Sequence, residues 1–179
     1  MKQLSENILD ITMNSVRAGS PLTDITVKEE GSMLTLVIND RGCGMTPEQV
    51  ANVTDPFFTT RTTRKVGLGL PFLKMEAELT GGSFSIESTV GVGTCVTASF
   101  DMSHIDSIPL GDMPETVMTI VGAAPDKDIV FTHVSGEKEV VLDTRDIRAQ
   151  LDGVPLDTPE VLLWIRDYLE SCYAEVFGN

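Results

Sequence analysis

The stretch Asn39-Asp40-Arg41-Gly42-Cys43-Gly44-Met45 decides how this chain is read. It follows directly on an apolar, β-rich run, Met33-Leu34-Thr35-Leu36-Val37-Ile38. A strand over that run delivers Asp40 to the end of a sheet. An ionised carboxylate accepts hydrogen bonds and donates none, so Asp40 suits an exocyclic amine such as N6 of adenine. Gly42 and Gly44 carry no side chains, which lets a flat ring approach the backbone. Taken alone, an Asp-Gly-rich turn without a ligand has the same appearance.

Upstream, residues 3–18 read as a helix, because Leu4, Ile8, Ile11 and Ser15 form one stripe at helical spacing. Gly19-Ser20-Pro21 ends it. Asp10, Asn14 and Arg17 stand at i, i+4 and i+7 and share a second face, about 120° from the apolar one. An amide oxygen there can ligate a hard cation such as Mg²⁺, and a carboxylate one turn away can orient a water. A solvated polar stripe gives the same pattern. Asp24–Glu30 and Met33–Asn39 flank Gly31-Ser32 and read as a hairpin.

Downstream, residues 46–64 show no sustained period and read as a loop with short turns. Val66-Gly67-Leu68-Gly69-Leu70 then opens a helix over 68–79. Glycines at a helix start expose N–H groups, and the helix dipole favours an anion there. Arg61, Arg64 and Lys65 crowd just before it, out of keeping with an acidic chain, and suit a polyphosphate. Strands over Ser83–Ser88 and Thr94–Phe100 follow, joined by the turn 89–93.

The order of these pieces resembles the ATP-binding domain of the GHKL superfamily (the Bergerat fold), which comprises gyrase B, heat-shock chaperone, histidine kinase and MutL type ATPases. The resemblance covers about residues 3–100. Its box Asp55-Pro56-Phe57-Phe58-Thr59-Thr60 and short loop look most like the histidine-kinase branch. It implies a two-layer α/β sandwich with helices on one face of a mixed sheet, and ATP and Mg²⁺ as cofactors. Asn14 matches the Mg²⁺-binding asparagine and Asp40 the adenine-reading aspartate, with Gly42 and Gly44 beside the ring. Met45 matches the apolar residue under the base, and Phe57 and Phe58 the aromatic box that anchors the lid. Gly67 and Gly69, within the run that includes Leu68 and Leu70, match the phosphate-facing glycines. Thr94 matches the threonine near adenine.

The chain departs from the pattern in places. Asp10 stands where gyrase-like and anti-sigma members carry a catalytic glutamate and histidine kinases an asparagine. It is one methylene shorter, so water activation is expected to be slow. Lys65 replaces a glycine, and Arg17 stands where kinases often carry lysine. No phosphoacceptor-histidine segment precedes the first helix; His104 and His133 come after the matched region. The expectation is therefore a stand-alone ATP-binding domain over residues 1–102, followed by an acidic α/β extension over 103–179.

Composition bounds the rest. The 179 residues are 41% hydrophobic and 22% charged, as in globular proteins. The formal charge is −14, and residues 101–179 alone hold 16 acids against 5 bases. That charge disfavours nucleic acid and anionic membranes. No apolar run reaches the roughly 20 residues of a membrane span. Cys43, Cys95 and Cys172 are odd in number and scattered, and read as reduced thiols in a cytoplasmic protein. In the extension, Val161, Trp164, Ile165, Tyr168, Leu169 and Cys172 follow at helical spacing and read as a core-facing stripe. The extension is expected either to dock a partner or to cover a sheet edge.

Three functions fit these readings. One is a regulatory Mg-ATP module with slow hydrolysis, in which nucleotide orders the lid and controls an unidentified protein partner. The second is a kinase that phosphorylates a separate protein on histidine, serine or threonine. The third is a non-catalytic nucleotide-binding interaction protein. Oligomeric state is left open by the sequence.

Overall fold

Burial of the first stripe organises the molecule. Leu4–Arg17 forms helix α1, with Leu4, Ile8, Ile11 and Ser15 buried. In this computed structural model, which describes residues 2–55 and 68–178, α1 lies over a six-stranded sheet. Strand β1 (Leu22–Glu30) turns through Gly31, at φ 60°, into antiparallel β2 (Met33–Asp40). The alternating residues Ile25 and Val27 on β1, and Leu34, Leu36 and Ile38 on β2, point into the core. Helices α2 (Pro47–Val53) and α3 (Gly69–Leu79) follow, then the hairpin of β3 (Phe84–Thr89) and β4 (Gly93–Asp101).

The rest of the chain continues the same layers. Helix α4 (Met113–Ala123) precedes β5 (Asp128–Ser135) and β6 (Lys138–Asp143). Helix α5 (Thr144–Leu151) and the long α6 (Pro159–Phe177) complete the described chain. The strand order is β3-β4-β2-β1-β5-β6. Only the β1–β5 pair is parallel, with Ile25 opposite Phe131 and Val27 opposite His133. The edge of β1 is thereby covered, which removes a row of unpaired backbone groups. One apolar core runs from Leu4 and Ile8 through Phe100 and Phe131 to Ile165 and Leu169. The connection before α4 is tied to α1: the Leu4 and Ser5 N–H groups donate to the carbonyls of Pro109 and Leu110 at 2.9 and 2.8 Å. Two otherwise orphaned donors of the helix start are satisfied there, where Gln3 makes no side-chain cap.

Two local expectations change. The segment from Thr46 is not loop throughout: Pro47–Val53 is helical, closed by a reciprocal capping box between Thr46 and Gln49. None of its residues is buried, so no apolar period marks it in the sequence. On α6 only part of the expected stripe faces inward. Val161, Ile165 and Leu169 are buried, whereas Trp164 and Tyr168 are 51% and 39% exposed.

His133, on β5, is buried beneath the end of α6. Its Nδ1 lies 2.6 Å from the Tyr173 hydroxyl, and its ring packs against Tyr173 and Phe177. Its Nε2 is 3.3 Å from a Glu29 oxygen without an aligned hydrogen bond. Burial lowers the His133 pKa, and the Glu29 carboxylate partly opposes that shift. The Tyr173 phenol is pushed up by burial and by the charge of Glu29.

Candidate functional site

Asp40 sits at the end of β2 with only 9% of its surface exposed. A carboxylate so placed needs partners, and three converge on it. The Gly42 and Thr94 backbone N–H groups donate to Oδ1 at 2.9 and 3.1 Å. The Ser15 hydroxyl, from α1, donates to Oδ2 at 2.7 Å. An ionised carboxylate offers about four acceptor positions. Three are filled from inside the protein, which leaves capacity on Oδ2 for one further donor.

The segment after Asp40 is clamped on both sides. The Cys43 N–H donates to the carbonyl of Ala18 at 2.9 Å, beyond the end of α1. The Gly91 N–H donates back to the Cys43 carbonyl at 2.8 Å, from the β3–β4 turn. Gly44 has φ 72°, a left-handed conformation, and a Cβ there would lie 2.0 Å from the Thr89 carbonyl oxygen. A Cβ on Gly42 would lie 2.8 Å from the Ala18 Cβ. The absence of side chains at both positions is therefore required by the protein's own packing. The Met45 N–H donates to the Ser88 hydroxyl at 2.8 Å, and that hydroxyl is 2.8 Å from the Thr94 hydroxyl. Asp40, Met45, Ser88 and Thr94 thus form one hydrogen-bonded unit at the ends of β2, β3 and β4.

Asp10 and Asn14 on α1 are half-buried, and Arg17 is exposed. The Arg17 guanidinium donates to the Asn14 amide oxygen at 2.8 Å. Asp10 abuts the first residue of α3: a Cβ added to Gly69 would lie 3.1 Å from the Asp10 Cβ and 3.6 Å from Oδ2. The N-terminal turn of α3, where the N-cap residue Leu68 makes no side-chain hydrogen bond, thus stands beside the polar face of α1. Leu68 is exposed, whereas Leu70 is buried in the core and anchors α3. Phe57, Phe58, Arg61, Arg64, Lys65 and Gly67 lie outside the described residues.

Two participants were not marked by the sequence reading. Ser15 was counted with the apolar stripe, although a hydroxyl in such a stripe is itself a signal that a buried acceptor waits opposite. Ser88 carries no such signal, since its role depends on the register that sets Ser88 opposite Thr94. A separate apolar groove of about 470 Å³ runs along the outer side of α3, lined by Leu68, Phe72, Met75 and Leu79. Asp10, Asn14, Asp40 and Thr94 do not line it.

Among the described residues no group of three His, Cys, Asp or Glu side chains is placed to hold a metal, and no helix is long and apolar enough to cross a membrane. Asn14 offers one amide oxygen with a second lone pair beside the Arg17 contact. That donor set fits a cation such as Mg²⁺, which commonly takes one or two protein oxygens and completes its shell with phosphates and waters.

The first part of the chain is similar to known proteins. The chain is 32% identical over 109 residues to a putative sensor protein of Shewanella frigidimarina, which covers 59% of this chain and 17% of the relative. It is 36% identical over 103 residues to an uncharacterized sensor-like histidine kinase of Rhizobium meliloti, covering 54% of this chain and 20% of that protein. It is 35% identical over 99 residues to the sensor protein SrrB of Staphylococcus aureus, covering 52% and 17%. The chain therefore spans about a fifth of the length of these relatives. The crystal structure of the N-terminal domain of a DNA repair protein shares the fold, with a TM-score of 0.54 at 16% identity over 80% of this chain and 53% of that one. A model of the histidine kinase-, DNA gyrase B- and HSP90-like ATPases matches residues 1–104, the span that holds α1, the Asp40 cluster and the start of α3. With that match over more than half of its length, and with a six-stranded α/β sandwich to carry it, this chain belongs to the histidine kinase-, DNA gyrase B- and HSP90-like ATPase family.

Proposed function

We propose that this protein binds Mg-ATP between α1, the Asp40 cluster and the start of α3, hydrolyses it slowly, and uses nucleotide state to control a protein partner. One observation carries the reading. Asp40 is a buried carboxylate already holding three donors, with room for one more on Oδ2. The donor it lacks is the kind an adenine amine supplies. Met45 and Thr94 are fixed beside it by Ser88 and would border the base. Gly69 and the Leu70 N–H at the start of α3 would face the phosphates, where the helix dipole favours an anion.

Asn14 would hold Mg²⁺ through its amide oxygen, and the ion would neutralise phosphate charge. Arg17, which donates to that same oxygen, would supply a cation to the phosphates. Asp10 is the residue of this face able to accept a proton from an attacking water. Its short side chain is held against the α3 start, which supports slow turnover. The test is phosphate release with Mg²⁺ and ATP: we expect turnover in the wild type and loss in Asp10→Asn with ATP affinity retained. Turnover unchanged in that variant would remove Asp10 from the chemistry.

A second reading is transfer of the γ-phosphate to a separate protein, favoured by the similarity to a sensor-like histidine kinase. Labelled γ-phosphate appearing on a co-purified protein, rather than as free phosphate, distinguishes it.

A further inference from the structure

We propose that the outer face of α6 is a docking surface for a basic, amphipathic protein segment. The inference stands on α6 alone and does not require nucleotide binding. Helix α6 packs on β6, the edge strand, and on α4, where Leu162 comes within 3.2 Å of the position a Gly122 side chain would take. Trp164 is two residues from Leu162 and so lies on the opposite flank, about 200° around the helix. There the Trp164 and Tyr168 rings stack, with centroids 5.1 Å apart and planes 12° from parallel. Both rings are substantially exposed, and Leu163 beside them is 48% exposed. A stacked pair is rigid, so it offers large apolar contact at small entropic cost, the property that makes such residues interface anchors.

Charge selects the occupant. The same solvent-facing arc carries Glu160, Asp167, Glu170 and Glu175, all exposed. Arg166 is the sole base between residues 159 and 177, and it contacts Asp167 and Glu170 from the α4 flank. A second copy of this face would set like charges against each other, and nucleic acid or anionic lipid would be repelled. A helix with leucine-like residues on one side and Lys or Arg along its rim meets both features. Its apolar side covers the aromatic pair, and its cations reach the carboxylates and the Trp164 ring face.

The experiment is a selection from a library of random peptides of about 15 residues, roughly four helical turns, over the full chain. The paired Trp164→Ala and Tyr168→Ala variant serves for subtraction. Trp164 is the single tryptophan of the chain, so its fluorescence then titrates each selected peptide directly. We expect enriched peptides to carry net positive charge and apolar residues at helical spacing. They should bind the wild type about tenfold or more tighter than the aromatic variant, measured by peptide anisotropy. They should also weaken in Asp167→Asn with Glu170→Gln and at high salt. Tyr168→Ala alone repeats the comparison if the double variant loses stability. Enrichment that ignores the aromatic pair, peptides that are neutral or acidic, or no enrichment at all would overturn the proposal. So would a wild-type dimer in sedimentation that the aromatic variant abolishes, since it would give the face to a second copy.

Discussion

Asp40→Asn separates recognition from folding, because asparagine has the same shape and keeps most of the internal network. Its amide oxygen can still accept from the Gly42 and Thr94 N–H groups, as Oδ1 does now. Its amide nitrogen, in the place of Oδ2, can donate to the Ser15 hydroxyl, which can in turn donate to the Ile11 carbonyl already 3.3 Å away. What is lost is charge assistance in three bonds, at about 1 kcal/mol each and so roughly 3 kcal/mol of stability at most. Recognition suffers differently. The free acceptor becomes an N–H, and a purine amine would meet a donor. Removing a charged hydrogen bond of that kind costs about 1.5–3 kcal/mol, or roughly 10- to 150-fold in Kd for ATP. Asp40→Ala should be worse for the fold, because two buried N–H groups lose their acceptor at about 1–3 kcal/mol each. Urea unfolding and calorimetric ATP titration measure the two effects apart. An Asp40→Asn protein that unfolds near the wild-type midpoint and binds ATP within twofold of wild type would show that this carboxylate does not hold the base.

Other consequences follow from the same contacts. Ser15→Ala removes one donor from a buried carboxylate, and we expect about 1 kcal/mol less stability in urea with ATP affinity reduced several-fold; unchanged values in both would detach Ser15 from the site. Gly44→Ala forces a Cβ towards the Thr89 carbonyl at positive φ, so a loss of about 2 kcal/mol or more is expected, and a wild-type melting curve would contradict the clamp. Asn14→Ala should abolish the enhancement of ATP affinity by Mg²⁺ while leaving metal-free binding nearly intact, read by titration with and without chelator. His133 is held neutral by burial, so its folded pKa lies below the unfolded value of about 6.5. Below that pH the unfolded state binds the proton more readily, and stability falls as pH drops, with no such contribution above it. The urea midpoint should therefore fall more between pH 7.5 and 5.5 in the wild type than in His133→Gln; parallel curves would show that another group controls the acid limb.

How far the fold can be read from residues depends on what each signal is made of. Alternation in β1 and β2, and the four-three-four spacing of α1, reflect burial of one face and survive into the structure. Helix α2 has no fully buried residue and only Val53 packs partly against the core, so little besides Pro47 and the Thr46–Gln49 cap marks it. The α6 stripe shows the opposite limit. Trp164 and Tyr168 keep helical spacing with the core residues, yet the wide arc they extend outruns the width that β6 and α4 can cover. The parallel docking of β5 on β1 is a long-range pairing, and residue patterns carry no statement of it beyond two β-rich runs. At the site, Asp40 is legible through the order of the motifs around it, since an Asp-Gly-rich turn after an apolar strand is by itself common. The glycines are legible as exceptions, but the reason resides in the Ala18 Cβ and the Thr89 carbonyl, which only tertiary structure brings there.

Whether Asp40 reads a purine amine is decided by a calorimetric comparison of ATP with inosine triphosphate, which carries a carbonyl oxygen where adenine carries the amine. ATP should bind the wild-type protein about tenfold or more tighter, because the inosine carbonyl would face a carboxylate oxygen with no proton between them. Equal affinity for the two nucleotides would contradict it.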